Sequence, residues 1–264
     1  MIIDGRLLAA EIVAGLKDKL TPSDALAVII VGEETDALSF IRQKKKVAQE
    51  LRIDFRVAQF GGDITTIDLC QEIEKLSLAG DVGGIIVELP LPGTINRDAV
   101  FASIHGRKDI GTLAPYSVFT APAVLTVESI LAKYSFDLSD KVVAVVGRGL
   151  LIGRPIIHWL GNRCDRLITL HSQTGLDQLK SADLVITGVG KAGLIRPEML
   201  KPGAGVIDFG YDAKDGKISG DLDTQSLTTN NEPLDFYTPT PGGTGPILVA
   251  ELFRNFYRLV PSPQ

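Results

Sequence analysis

One segment constrains this chain more than any other. Residues Val142–Val146 form a short apolar run, and Gly147, Gly149, Gly153 and Pro155 follow it directly. The order is that of a strand, a glycine turn and a helix start. The first glycine permits a tight turn, and the second lets backbone approach a pyrophosphate. Helix N–H groups then face the phosphates. Pro155 suits an early helical position because it lacks an N–H. The spacing is one residue longer than the common fingerprint. A bare turn without a ligand would need the same first glycine. Because strand and helix sit where the motif needs them, the segment predicts a dinucleotide site.

The surroundings refine that expectation. The next strand ends in His171 and Ser172, with no acid to take the 2′-hydroxyl of NAD. Arg148 and Ser172 can instead receive a 2′-phosphate, which favours NADP. Later strand ends carry Gly188, Gly190 and Lys191, then Asp208 and Gly210. Small residues there let a nucleotide lie across the carboxyl ends of the strands.

Apolar runs and helical stripes alternate along the rest of the chain. Helices are predicted over 6–20, 36–51, 63–78, 122–134 and 247–257. Strands are predicted over 25–31, 53–59, 84–89, 142–146, 167–170, 184–187 and 205–209. Residues 93–122 read as irregular, and 211–223 as a hairpin turning at Asp215–Gly216. Alternating strands and helices imply parallel sheets in two α/β domains, the second Rossmann-like and doubly wound.

The remaining composition mainly excludes. The 264 residues carry a net charge of −5, no reason to expect nucleic-acid binding. No apolar stretch is long enough to span a membrane, and the N-terminus lacks the apolar core of a signal peptide, so a cytoplasmic protein is expected. Two distant cysteines and three scattered histidines suggest neither disulfides nor a metal centre.

Five segments of the second half then carry a resemblance: Gly147–Pro155, His171–Thr174, Gly188–Lys191, Val206–Gly210 and Thr238–Pro246. In this order they resemble the bifunctional methylenetetrahydrofolate dehydrogenase/cyclohydrolases. In the first half, Ile3–Gly5, Val31–Gly32, the helix with Ser39 and Lys44, and Leu89–Pro92 extend the likeness to nearly the whole chain.

The resemblance implies a folate domain over 1–120, rejoined by a C-terminal helix over 244–264. It implies an NADP domain over 121–243, a folate cleft between the two, and a homodimer. It also implies oxidation of 5,10-methylenetetrahydrofolate by NADP and hydrolysis of the methenyl product. Lys44 takes the place of the family's catalytic lysine. Gly147, Arg148, Gly149, Gly153, Arg154, Pro155, His171, Ser172, Gly188, Gly190, Lys191, Asp208, Gly210 and Thr244 match the cofactor positions. Phe40, Glu88, Asp109, Gly111, Pro241, Gly242 and Gly243 match substrate positions.

Three of these depart from the family. Phe40 replaces a tyrosine, Glu88 a glutamine, and Gly111 an aspartate that grips the pterin. Glu88 either takes over part of that grip or is merely tolerated. Two other functions stay open: a nucleotide-binding relative without folate chemistry, and a dehydrogenase of another substrate.

Overall fold

The computed structural model describes residues 1–32, 35–214, 216–228 and 233–258. The chain divides into two compact units, Ala10–Pro122 with Val249–Gln264 and Met1–Ala9 with Ala123–Leu248. They are called here the N-terminal and C-terminal units.

The N-terminal unit holds a parallel sheet of β1 (Ala25–Val31), β2 (Phe55–Phe60) and β3 (Val82–Val87), in the order β2-β1-β3. Central β1 is buried at every residue, which explains its continuous apolar run. Edge strand β2 is half-buried at Phe55, Ala58 and Phe60 and exposed at Arg56, Val57 and Gln59. Its helices are α2 (Thr35–Glu50), α3 (Thr66–Leu78) and α4 (Arg97–Ser103), together with α1 (Gly5–Lys17) from Ala10 onward. A core of β1 and β3 side chains packs with Leu69 and Ile73 of α3 and Val100 and Phe101 of α4. Helix α4 lies within the stretch read as irregular. At seven residues it is too short to show a periodic stripe, but Asn96 caps it by accepting from Ala99 N–H at 3.2 Å.

The C-terminal unit takes in α5 (Pro122–Lys133) from Ala123 onward and contains a five-stranded sheet. Its strands are β4 (Val142–Val146), β5 (Arg166–Leu170), β6 (Leu184–Thr187), β7 (Gly205–Asp208) and β10 (Phe236–Tyr237). All pair in parallel, in the order β10-β7-β6-β4-β5. Numbered within the unit this is 2-1-3-4-5, a doubly wound order whose switch point lies between β4 and β6. Helix α6 (Gly153–Leu160) follows β4, with Pro155 as its third residue. The hairpin β8 (Asp212–Lys214) and β9 (Lys217–Ser219) is antiparallel, and Gly216 has φ +74°. Residue 215, the other half of the expected turn, lies outside the described residues.

The last helix, α7 (Thr244–Tyr257), begins in the C-terminal unit and ends in the N-terminal one. Its Phe256 ring lies where a side chain on Gly84 would stand, 2.7 Å from that missing Cβ. The side-chain amide of Asn255 donates to the carbonyls of Ile110 and Thr120 at 3.1 and 2.9 Å.

The domain borders differ from the sequence reading at three places. Residues 1–9 and 244–248 fall in the C-terminal unit rather than the first domain, and residues 121–122 fall in the N-terminal unit. The cause is backbone pairing that a linear boundary cannot express. Ile3 N–H donates to Tyr237 carbonyl at 2.9 Å, and Tyr237 N–H to Met1 carbonyl at 3.0 Å. Gly5 also packs so tightly on Gly243 that no side chain fits there.

Candidate active site

In the N-terminal unit, Ile41, Lys44 and Ala48 follow one another at helical spacing on α2, Leu51 continues the series just past its end, and all four are buried. Lys45 and Lys46 are exposed. The charge run is therefore split by the helical period, and Lys44 alone turns inward. A buried ammonium without a partner is expensive. Its partner is Glu88: Lys44 Nζ donates to Glu88 Oε1, and both side chains are at least nine-tenths buried.

Glu88 sits one residue beyond β3. Its backbone N–H still donates to Ile29 carbonyl at 2.9 Å, which extends the ladder to β1. The carboxylate is thus held at the carboxyl end of the β1/β3 switch point, where open α/β sheets place ligands. The turn Leu89–Gly93 follows, with Leu89–Pro90 in the cis form. With Ile95 and Arg97 it lines a pocket of about 490 Å³. Phe40 is half-buried on α2, one helical turn before Lys44.

Asp109 and Gly111 behave differently from each other. Asp109 is 1% exposed, and its carboxylate accepts from Ala114 N–H at 2.7 Å. Burial pushes its pKa up, against the lowering pull of hydrogen bonds from Ala114, Leu113 and Ser117. Its side chain thus closes its own loop. Gly111 is half-exposed, and a Cβ there would meet only Asp109 Oδ1, at 4.0 Å. Nothing steric demands glycine at 111.

In the C-terminal unit, the glycine turn has the expected geometry. Gly147 has φ +98°, a conformation L side chains rarely adopt. A Cβ on Gly153 would collide with the Gly147 carbonyl, so the third glycine sets how closely α6 meets the turn. Gly149 lies exposed. Arg148 donates to Thr169 Oγ1 at 2.9 Å. With Arg154, Ile157 and His158 these two line a pocket of about 490 Å³ on the C-terminal unit. Ser172 is exposed past the end of β5, and His171 N–H donates to Thr174 Oγ1 at 2.8 Å. Basic side chains beside an open glycine turn fit a phosphorylated dinucleotide.

Across the switch point, the loop Gly188–Lys191 is held by an acid that sequence reasoning missed. Asp221 is fully buried. It accepts from Thr187 Oγ1 at 2.6 Å, Val189 N–H at 2.7 Å and Lys191 N–H at 2.7 Å. Asp208 does the same for the next loop, accepting from Gly210 N–H at 2.6 Å and Leu222 N–H at 2.9 Å. Burial, with the neighbouring Asp221 charge, raises the Asp208 pKa to about 6. The only linear sign of Asp221 is the glycine before it. A Cβ on Gly220 would overlap Asp208, so this chain segment must approach that acid closely.

The motif near the C-terminus anchors to the same region. Thr238 Oγ1 accepts from Asp208 N–H at 2.7 Å, and Thr244 Oγ1 donates to Asp208 carbonyl at 2.8 Å. Thr240–Pro241 is cis, Gly242 has φ +101°, and Gly243 N–H donates to Pro239 carbonyl at 2.8 Å.

This arrangement is matched along nearly the whole chain by known proteins. Residues 3–111 match the tetrahydrofolate dehydrogenase/cyclohydrolase catalytic domain, and residues 120–262 match the NAD(P)-binding domain of the same enzymes. The chain belongs to the tetrahydrofolate dehydrogenase/cyclohydrolase family. The bifunctional protein FolD of Bacillus licheniformis is 35% identical, covering 96% of this chain and 95% of that protein. The crystal structure of a Campylobacter jejuni FolD superposes with a TM-score of 0.92 at 31% identity, covering 98% of each chain. A Trypanosoma brucei FolD, complexed with NADP cofactor and inhibitor, superposes at 0.91 with 27% identity, covering 98% of this chain and 96% of that one. Shikimate dehydrogenase of Thermus thermophilus, at 14% identity and TM-score 0.58, shares the fold alone.

Within this family frame, Lys44 and Glu88 come together, whereas Asp109 is turned into its own loop. The carboxylate of Glu88 engages Lys44, a partner that neither reading of Glu88 from the sequence named. The physical reason is the buried ammonium, whose nearest means of neutralisation is that acid.

Proposed function

We propose that this chain oxidises 5,10-methylenetetrahydrofolate to 5,10-methenyltetrahydrofolate with NADP and hydrolyses the product to 10-formyltetrahydrofolate. The observation that carries this reading is Lys44, a lysine drawn out of a charge run and buried beside the β1/β3 switch point. A protein that only bound nucleotide would have no need of a buried ion pair in its other unit.

In this reading the N-terminal unit holds the folate, with Phe40 stacking on the pterin and Leu89–Pro92 shaping the pocket. NADP, when bound, accepts a hydride from the methylene carbon. Gly147, Gly149 and Gly153 give it close backbone approach, with Pro155 in the first turn of α6. Arg148, Arg154 and Ser172 face the 2′-phosphate, with His171 beside them. Gly188, Gly190, Lys191, Asp208, Gly210 and Thr244 shape the floor beneath the nicotinamide end. Pro241, Gly242 and Gly243 lie toward the folate. Lys44 supplies positive charge during ring opening. The enzyme works as a homodimer in the cytoplasm.

Mixing the protein with 5,10-methylenetetrahydrofolate and NADP should raise absorbance from NADPH and the methenyl product. Folded protein that binds NADP yet gives no such signal refutes the reading. Lys44→Met should abolish methenyl hydrolysis, and undiminished hydrolysis would remove the role given to Lys44.

A further inference from the structure

Glu88 is a second chemical group at the Lys44 site. It follows β3 directly, its backbone N–H bonds the Ile29 carbonyl of β1, and its carboxylate meets Lys44 Nζ in a buried pair. An ammonium hydrogen-bonded to a carboxylate has no lone pair with which to take a proton. A carboxylate has four lone-pair sites and uses one on a single lysine N–H. We propose that Glu88 accepts the proton from water in methenyl hydrolysis, with Lys44 as its counter-charge and hydrogen-bond donor. This rests on the folate reading above.

The step balances without a further reactant. The water oxygen bonds to the amidinium carbon while the C=N π pair returns to nitrogen. The water proton passes to Glu88, leaving a neutral carbinolamine. On collapse the carbonyl forms and the bond from that carbon to N5 breaks. N5 receives the proton from Glu88, and the hydroxyl proton leaves to solvent. One water is consumed and one proton is released. The pair also suits the hydride step, because the cationic product forms beside a net-neutral couple rather than a bare ammonium.

The test uses methenyltetrahydrofolate hydrolysis without NADP, followed by loss of methenyl absorbance. Glu88→Gln keeps the shape but cannot accept a proton, and its hydrolysis kcat should fall about 100-fold or more. Glu88→Ala should regain activity as formate is added, and chloride at equal ionic strength should not replace it. Formate also restores a counter-charge to Lys44, so this arm does not depend on the unpaired variant folding well. Glu88→Gln hydrolysing as fast as the unaltered protein, or faster, overturns the proposal. So does rescue by chloride equal to that by formate, which would mean counter-charge alone. Unaltered protein that turns over neither folate refutes the parent reading and this one with it.

Discussion

The Asp221→Asn substitution tests whether the loop beside the nucleotide turn is built by one carboxylate. Asp221 takes three hydrogen bonds, two on Oδ2 from Thr187 and Val189 and one on Oδ1 from Lys191. Asparagine keeps the shape but offers only one acceptor oxygen. If that oxygen keeps the Oδ2 pair, the amide NH₂ faces Lys191 N–H, donor against donor. Losing one charge-assisted bond costs about 1.5–3 kcal/mol, and the part-buried Lys191 N–H left facing a donor adds about 1 kcal/mol. A total of about 2.5–4 kcal/mol should lower the melting temperature by roughly 10 °C in a unit of this size. The loop can instead relax, which moves the loss from stability to binding. NADP affinity then falls about ten- to hundredfold. Scanning calorimetry with and without NADP, together with titration calorimetry, reads both outcomes. A melting temperature within about 1 °C of the unaltered protein, with affinity unchanged, refutes the assignment of Asp221 as the loop's anchor.

Two further predictions concern the other acids. Gly111→Asp restores a carboxylate where a Cβ would meet only Asp109 Oδ1, at 4.0 Å, and should raise folate affinity about ten- to hundredfold; an unchanged Kd in fluorescence titration argues that position 111 faces no pterin. Asp208 titrates near 6 in the folded protein against 3.8 as its ordinary value. The folded state binds this proton more tightly than the unfolded one, so the stabilisation it brings is complete below the ordinary value and is lost as pH rises through about 6. The span is about 3 kcal/mol. Urea unfolding at pH 4.5 and pH 7 should show that slope in the unaltered protein and a shallower one in Asp208→Asn; equal slopes would count against it.

Much of the fold was legible because its signals are local. The run Ala25–Val31 reads as a buried strand since every residue of β1 is covered, and it forms as expected. The glycine turn after β4 is equally local: φ at Gly147 and the contact of Gly153 on the Gly147 carbonyl are requirements within a few residues of chain. Helix α4 and strand β10 escaped notice because seven and two residues are too few to set a period. Lys44 shows a signal that was present but outvoted. Its spacing from Ile41 and Ala48 puts it on the buried stripe, while its neighbours Lys45 and Lys46 suggest a solvated run.

The sequence by itself thus determined the two α/β units, the dinucleotide turn and the family. Each depends on short-range patterns of apolar residues, glycines and prolines. Only the tertiary structure decided who meets whom. It paired Glu88 with Lys44 across 44 positions and set Asp221 against a loop 30 or more residues earlier. It also drew residues 1–9 into the C-terminal unit. Burial is the reason in the first two cases: a charge taken out of water must find its complement, and that complement is chosen by proximity in space, which no linear spacing records.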